Sequence, residues 1–145
     1  MEKLTDVTRR ILDERFGKDT VIALATAKDG IPYVRSVDGY YEDGAFYVIT
    51  HAQSGKMKQI GQNPAVAISG EWFTAHGVGV NLGYFGKREN ERMAAKLKKA
   101  FAAWIDNGHN DFSDENTCIL CIRLTQGVLF SQGARYDIDF SVDGA

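Results

Sequence analysis

The sequence predicts a mainly β domain, an antiparallel barrel or sandwich with helices packed over it. Three observations carry this. Strand-like runs of β-branched and apolar residues outnumber helical segments about two to one. The connections between them are short and built from turn-forming residues. Fifteen glycines stand against two prolines in 145 residues, a balance that supplies turns without interrupting strands. The length fits one domain over residues 1–145. A composition of 44% hydrophobic and 25% charged residues excludes a disordered, collagenous or coiled-coil chain. A net charge of −2 gives little electrostatic footing for nucleic acid or an anionic membrane, so neither is expected as a partner.

The elements follow in order. Residues 4–16 form an amphipathic helix, with Leu4, Val7, Ile11, Leu12 and Phe16 at helical spacing and Gly17 as its stop. VIALATA at 21–27 is a short apolar strand, and Lys28-Asp29-Gly30 turns the chain into a second strand at 32–38. Residues 40–44, YYEDG, turn it again into a third strand, AFYVIT, at 45–50. The period changes to helical over 54–62, through Met57 and Ile60, and stops at Asn63-Pro64. Strand patterning returns at 65–72 and 73–84; the second carries Gly77, Gly79 and Gly83 on one face, a sign of close backbone approach or strong curvature. Residues 87–105 make the strongest helix, with Met93, Leu97, Ala100, Phe101 and Trp104 on one stripe and Lys96, Lys98 and Lys99 off it. A polar loop at 108–115 leads to two strands, 117–124 and 127–131, joined by a Thr125-Gln126 turn. The barrel segments are thus about 20–84 and 117–131.

No apolar run approaches the ~20 residues of a membrane span, and MEKLTDVTRRILDERF has no continuous apolar core of a secretory signal. A cytoplasmic location is expected. Cys118 and Cys121 form a C-x-x-C, but TCILCIRL reads as a strand, in which positions three apart point to opposite faces. Two small buried hydrophobes are expected there, and no metal site, since His51, His76 and His109 lie far apart with no ligand spacing. Ser54-Gly55-Lys56-Met57 is not a P-loop, because Thr50 occupies the leading glycine position and Met57 the Mg²⁺-binding hydroxyl position. Gly77-x-Gly79 lies inside a strand pattern and lacks the third glycine of a dinucleotide fingerprint. No catalytic triad or carboxylate pair stands out, and His76 is either a ligand-facing group or a satisfied strand histidine.

The stretch from Arg35 to Lys56 carries the most chemistry. Arg35 sits mid-strand in Y-V-R-S-V; spacing alone favours a solvent-facing or snorkelling arginine, unless its charge is paired. Thr50 ends the third strand, Ser54 fits as an N-cap, and Lys56 lies in the first helical turn. That turn has free N–H groups and a partial positive charge, so it attracts anions and disfavours a lysine. An ordinary capped surface helix remains open as a reading, but a cation there makes more sense beside a bound anion. From the residues alone, the expectation is a phosphate-sized anion site on a small β-rich domain.

As a whole, the chain resembles the pyridoxamine 5′-phosphate oxidase-like flavoproteins, the FMN-binding split-barrel superfamily. The resemblance rests on VIALATAKDGIPYVRSV, on AFYVIT, and on the S-x-K-x-x-x-I-x-x-N-P of residues 54–64 with the apolar strand after it, over roughly residues 18–84. The tail, CILCIRLTQGVLFSQGARYDIDF, is similar to small uncharacterised members. The resemblance implies an antiparallel six-stranded split β-barrel with FMN as cofactor, at the interface of a homodimer. By it, Arg35, with Ser36 beside it, grips the FMN phosphate, and Ser54, Gly55 and Lys56 form the phosphate-binding S-x-K. Thr50 lies near the flavin, Val48 and Ile49 run along the isoalloxazine, and the partner chain supplies the other wall, with His76 and Asn81 as candidates. Three features depart from the vitamin B6 enzymes: Gly55 replaces their second arginine, Gly39-Tyr40 occupies the region of a strand lysine, and Ala134-Arg135-Tyr136-Asp137 does not supply their R-x-H. The function implied is that of a flavin-dependent oxidoreductase on an unidentified small molecule, with no catalytic residue identified. The alternative is a non-enzymatic protein that binds or senses flavin or haem, with His51 and His76 available to the latter; a third is a barrel without a cofactor.

Overall fold

The computed structural model describes residues 2–141. Strand β1 (Glu2–Lys3) precedes helix α1 (Asp6–Phe16), followed by β2 (Thr20–Lys28), β3 (Ile31–Glu42) and β4 (Ala45–His51). Helix α2 (Gly55–Gln62) leads to β5 (Ala65–Gly70) and β6 (Phe73–Tyr84). A 3-10 turn (Arg88–Asn90) opens α3 (Glu91–Ala100), and β7 (Thr117–Ser131) and β8 (Ala134–Asp139) complete the order. The strands run β7-β4-β3-β2-β5-β6, and β6 pairs back onto β7. This closes a six-stranded barrel in which all neighbours are antiparallel. β8 adds antiparallel to β7 outside the barrel, and β1 pairs parallel with β8. The expected split-barrel architecture is present.

Alternation explains the strands. Ile22, Leu24 and Thr26 of β2 point inward and are buried, while Ala23 and Ala25 face out. Cys118, Leu120, Ile122 and Leu124 of β7 join them in the barrel core. Phe16 of α1 packs edge-on against Phe46, and against Phe73, at one end. Met57 and Ile60 of α2 enter the same core from the end nearer Thr26. A second cluster lies outside the barrel wall, where Ala94 and Leu97 of α3, with Phe101 and Ile105, pack around Ile119 and Phe85. Cys118 and Cys121 do point to opposite faces, the first into the core, the second beside the Tyr47 hydroxyl, and both are free thiols.

Several expected boundaries move. The first helix begins at Asp6 because Thr5 caps it: its hydroxyl accepts the Thr8 N–H at 3.2 Å, and the Thr8 hydroxyl accepts the Thr5 N–H at 2.9 Å. Thr8 is buried and Val7 exposed, the reverse of the hydrophobic reading. Tyr40, Tyr41 and Glu42 belong to β3, so the turn shrinks to Asp43-Gly44, both at positive φ. The helix expected over 87–105 is helical only over Glu91–Ala100. At its start the Asn90 amide is committed to the Leu82 and Tyr84 carbonyls at 3.0 and 2.8 Å; beyond its end, successive turns keep Phe101 and Ile105 in their cluster. The Thr125-Gln126 turn does not exist. β7 is continuous, and the extra residue is absorbed as an irregularity opposite His76/Gly77, with the Thr125 hydroxyl donating to the His76 carbonyl at 3.2 Å.

Two features position the functional region. β3 pairs with β4 only between Tyr40–Glu42 and Ala45–Tyr47. Beyond that point Val48–His51 pair with β7 alone and residues 31–39 with β2 alone, so the wall splits. α2 crosses the opening, held at its far end where the Gly79 N–H donates to the Pro64 carbonyl at 2.8 Å. A Cβ on Gly79 would lie 2.8 Å from Ile60 Cγ2, so α2 seats closely only over a glycine. Gly79→Ala is therefore expected to cost about 1–3 kcal/mol by overpacking, read as a lower urea midpoint at unchanged slope.

Candidate anion-binding site

Arg35 occupies an inward position of β3, at the opening of the wall. Its guanidinium is held through both Nη atoms. Nη1 donates to the Leu24 carbonyl at 3.2 Å and to Thr26 Oγ1 at 2.8 Å, and Nη2 donates to Gln59 Oε1 at 2.9 Å. Thr26 in turn donates to Gln59 Oε1 at 2.6 Å. None of these partners is charged. Burial lowers the Arg35 pKa from its ordinary value. Lys56 is half-buried in the first turn of α2 and has its pKa lowered too, by burial first and by the Arg35 charge second. Among the described residues, neither cation makes an ion pair with a carboxylate.

The helix end adds to this positive field. Lys58 N is the first amide to close onto the helix, donating to the Ser54 carbonyl at 3.1 Å, so the N–H groups of Gly55, Lys56 and Met57 precede any intrahelical acceptor. Ser54 sits at the N-cap with extended backbone but makes no side-chain cap bond. Its Oγ is buried and has no hydrogen-bond partner. A buried hydroxyl without a partner costs free energy, and here it sits two residues from an unpaired lysine. Gly55 is exposed, with open space where a side chain would project.

The structure thus brings Arg35, Ser54 and Lys56 together at one helix end, with Gly55 beside them. Thr50, the penultimate residue of β4, is 8% exposed, on the inward side with the buried Val48. Ile49 points the other way, against the α3 cluster. Ser36, adjacent to Arg35, lies on the exposed outward face of β3. His76 is also on the outer face, lining a groove of about 440 Å³ with Ala25, Val34, Ala67 and Val128. Asn81 lies further along β6 and caps a local turn, accepting the Gly83 N–H at 2.8 Å. Within one chain, Ser36, His76 and Asn81 therefore stand apart from the cation cluster. His51 is exposed, with Nε2 3.2 Å from Asp114 Oδ2 and Nδ1 accepting the Gln53 N–H at 3.2 Å. Thr26 and Gln59 escaped the sequence reading. Their signals were a hydroxyl on the inward side of an apolar strand, and a glutamine three residues after Lys56 on the same helix face.

The sequence profile of pyridoxamine 5′-phosphate oxidase matches residues 9–128, most of the barrel and the whole of this cluster. The chain belongs to the pyridoxamine 5′-phosphate oxidase family. Solved structures share the family barrel. A putative pyridoxamine 5′-phosphate oxidase from Listeria innocua is similar at 16% identity and TM-score 0.65, over 88% of this chain and 98% of that one. A NimC/NimA family protein from Clostridium acetobutylicum is similar at 22% identity and TM-score 0.64, over 89% and 92%. A haem-binding protein from Mycobacterium smegmatis is similar at 17% identity and TM-score 0.65, over 85% of this chain and 54% of that one. At these identities the likeness shows the shared fold. Among curated proteins, none matches the sequence. Among the described residues, no helix is long and apolar enough to cross a membrane.

Proposed function

We propose that this member of the pyridoxamine 5′-phosphate oxidase family binds FMN in a homodimer and acts as a flavin-dependent oxidoreductase on an unidentified small molecule. The observation that carries the reading is the buried, partnerless Ser54 hydroxyl at the helix end that holds two cations, neither of them ion-paired with a carboxylate among the described residues. A phosphate monoester fits that donor set: two positive charges, a hydroxyl, and the free N–H groups of a helix N-terminus. Arg35, Lys56 and Ser54 would hold the phosphate. The edge of β4 at Val48–Thr50, left unpaired on the β3 side, would offer backbone N–H and C=O groups to the polar rim of the ring. When bound, the flavin supplies hydride and electron transfer; the chain binds it, orients it and shields one side.

The second copy is supported by the outer face of β2 and β3. Val21 and Val34 are 65% and 71% exposed there, beside the groove lined by Ala25, Ala67 and Val128. A second chain seated on that face would cover the apolar surface and bring its own side chains near the split. A vitamin B6 substrate is not supported, since Arg135 of β8 is paired with Asp137 at 3.0 Å and no R-x-H accompanies it.

Titration with FMN and with riboflavin tests the reading. The protein is expected to bind FMN at least tenfold more tightly, roughly one charge-assisted hydrogen bond's worth. Ser54→Ala is expected to weaken FMN roughly two- to tenfold while melting no lower than wild type in the free protein, because the buried hydroxyl caps nothing and has no partner to lose. Equal affinity for FMN and riboflavin would defeat the proposal.

A further inference from the structure

We propose that Gln59 is a positioning and selectivity residue: a neutral acceptor that aims the Arg35 guanidinium at the N-terminus of α2 while leaving both positive charges of the site uncancelled, so that the site selects a doubly charged phosphate monoester. The inference rests on the phosphate-site reading given above and assigns how its charge is set.

Gln59, Thr26 and Arg35 form a closed ring. Gln59 Oε1 accepts from both Thr26 Oγ1 and Arg35 Nη2, at 2.6 and 2.9 Å, and Thr26 Oγ1 accepts from Arg35 Nη1 at 2.8 Å. Arginine and a donating hydroxyl can only be met by the amide oxygen, which fixes the orientation of the Gln59 side chain. With Leu24 O on Nη1 at 3.2 Å, two of the five guanidinium N–H donors are left without a partner among the described residues. The ring ties β2, β3 and α2 together, and Thr26 is 2% exposed, so its hydroxyl needs both of its partners.

A neutral residue at this position runs against the ordinary preference. A half-buried arginine is usually matched by a carboxylate, which would accept the same two hydrogen bonds more strongly. Glutamate has the same length and branching as glutamine. It would also cancel the Arg35 charge and with it the repulsion between Arg35 and Lys56, which after burial is the second cause of the lowered Lys56 pKa. A site with one net positive charge matches a dianion poorly. The amide gives the geometry of an arginine–carboxylate clamp without the charge.

The test compares wild type, Gln59→Glu and Gln59→Met in titrations with FMN and with riboflavin, alongside thermal melts. Gln59→Glu is expected to melt no lower than wild type, to bind FMN about ten- to a hundredfold more weakly, and to bind riboflavin unchanged. Gln59→Met keeps the volume but frees the guanidinium, and is expected to lose several-fold in FMN affinity alone. A role in folding would move both ligands together and lower the melting temperature, so the ratio of the two affinities is the deciding number. Undiminished FMN binding in Gln59→Glu, or equal losses for the two ligands in either variant, overturns the assignment. If wild type itself does not distinguish FMN from riboflavin, the phosphate-site reading fails, and this inference with it.

Discussion

Lys56→Met weakens FMN binding about ten- to a hundredfold and raises the melting temperature of the ligand-free protein. The two effects have one cause. Lys56 is a half-buried cation with no carboxylate, set against the helix dipole and near Arg35. Its pKa in the folded chain is lowered from the usual 10.5, first by burial and then by Arg35. A lowered lysine pKa means that the folded state disfavours the charged form. The cost is complete at pH values below the folded pKa and disappears above the unfolded one, because there the amine is neutral in both states. The free wild-type protein therefore gains stability as pH rises through the window just below 10.5, and Lys56→Met loses that gain while melting higher at neutral pH. Melts at pH 7 and near pH 10, with FMN titrations beside them, check both halves. A variant that melts lower at neutral pH would show Lys56 to be a structural residue.

Val34→Asp is expected to separate the chains and to weaken FMN by at least about a hundredfold, because an unpaired carboxylate buried in an interface costs several kcal/mol. Val34 is 71% exposed and lines the outer groove, while its neighbour Arg35 faces the opposite side of β3 and keeps its bonds to Thr26 and Gln59. The substitution should therefore spare the phosphate contacts of its own chain and act through the missing partner. Light scattering across a concentration series reads the mass, and FMN titration reads the site. A wild-type monomer, or a Val34→Asp dimer with full FMN affinity, would remove the second chain from the account.

How much of this was legible in the sequence depended on the range of the interaction. Alternation along VIALATA and AFYVIT and the helical period after Ser54 are local, and they placed β2, β4 and α2. Local chemistry also drew attention to Arg35, Ser54 and Lys56, since a lysine in a helix's first turn is out of place without an anion. The hydrogen-bond partners of Arg35 were not legible. They come from β2 and α2, which only the closed barrel brings together, and neither Thr26 nor Gln59 is unusual where it stands in the sequence. The Thr125-Gln126 pair misled for a related reason. Two polar residues between apolar runs read as a turn, but β6 and β8 supply partners on both sides, and a bulge is then cheaper than a break. The apolar stripe runs past the end of α3 because Phe101 and Trp104 continue its spacing. Their packing comes from successive turns instead, with the Trp104 indole donating to Asp19 at 2.9 Å. β8 carries little alternation of its own and exists as a strand through its pairing with β7.

The absorption spectrum of the freshly purified protein, with mass spectrometry of whatever it releases on denaturation, tests the central claim most directly. A yellow protein with a flavin spectrum that releases FMN, in preference to riboflavin or FAD, is the expected result. A haem spectrum would contradict it, and so would a colourless protein that forms no tight complex when reconstituted with FMN.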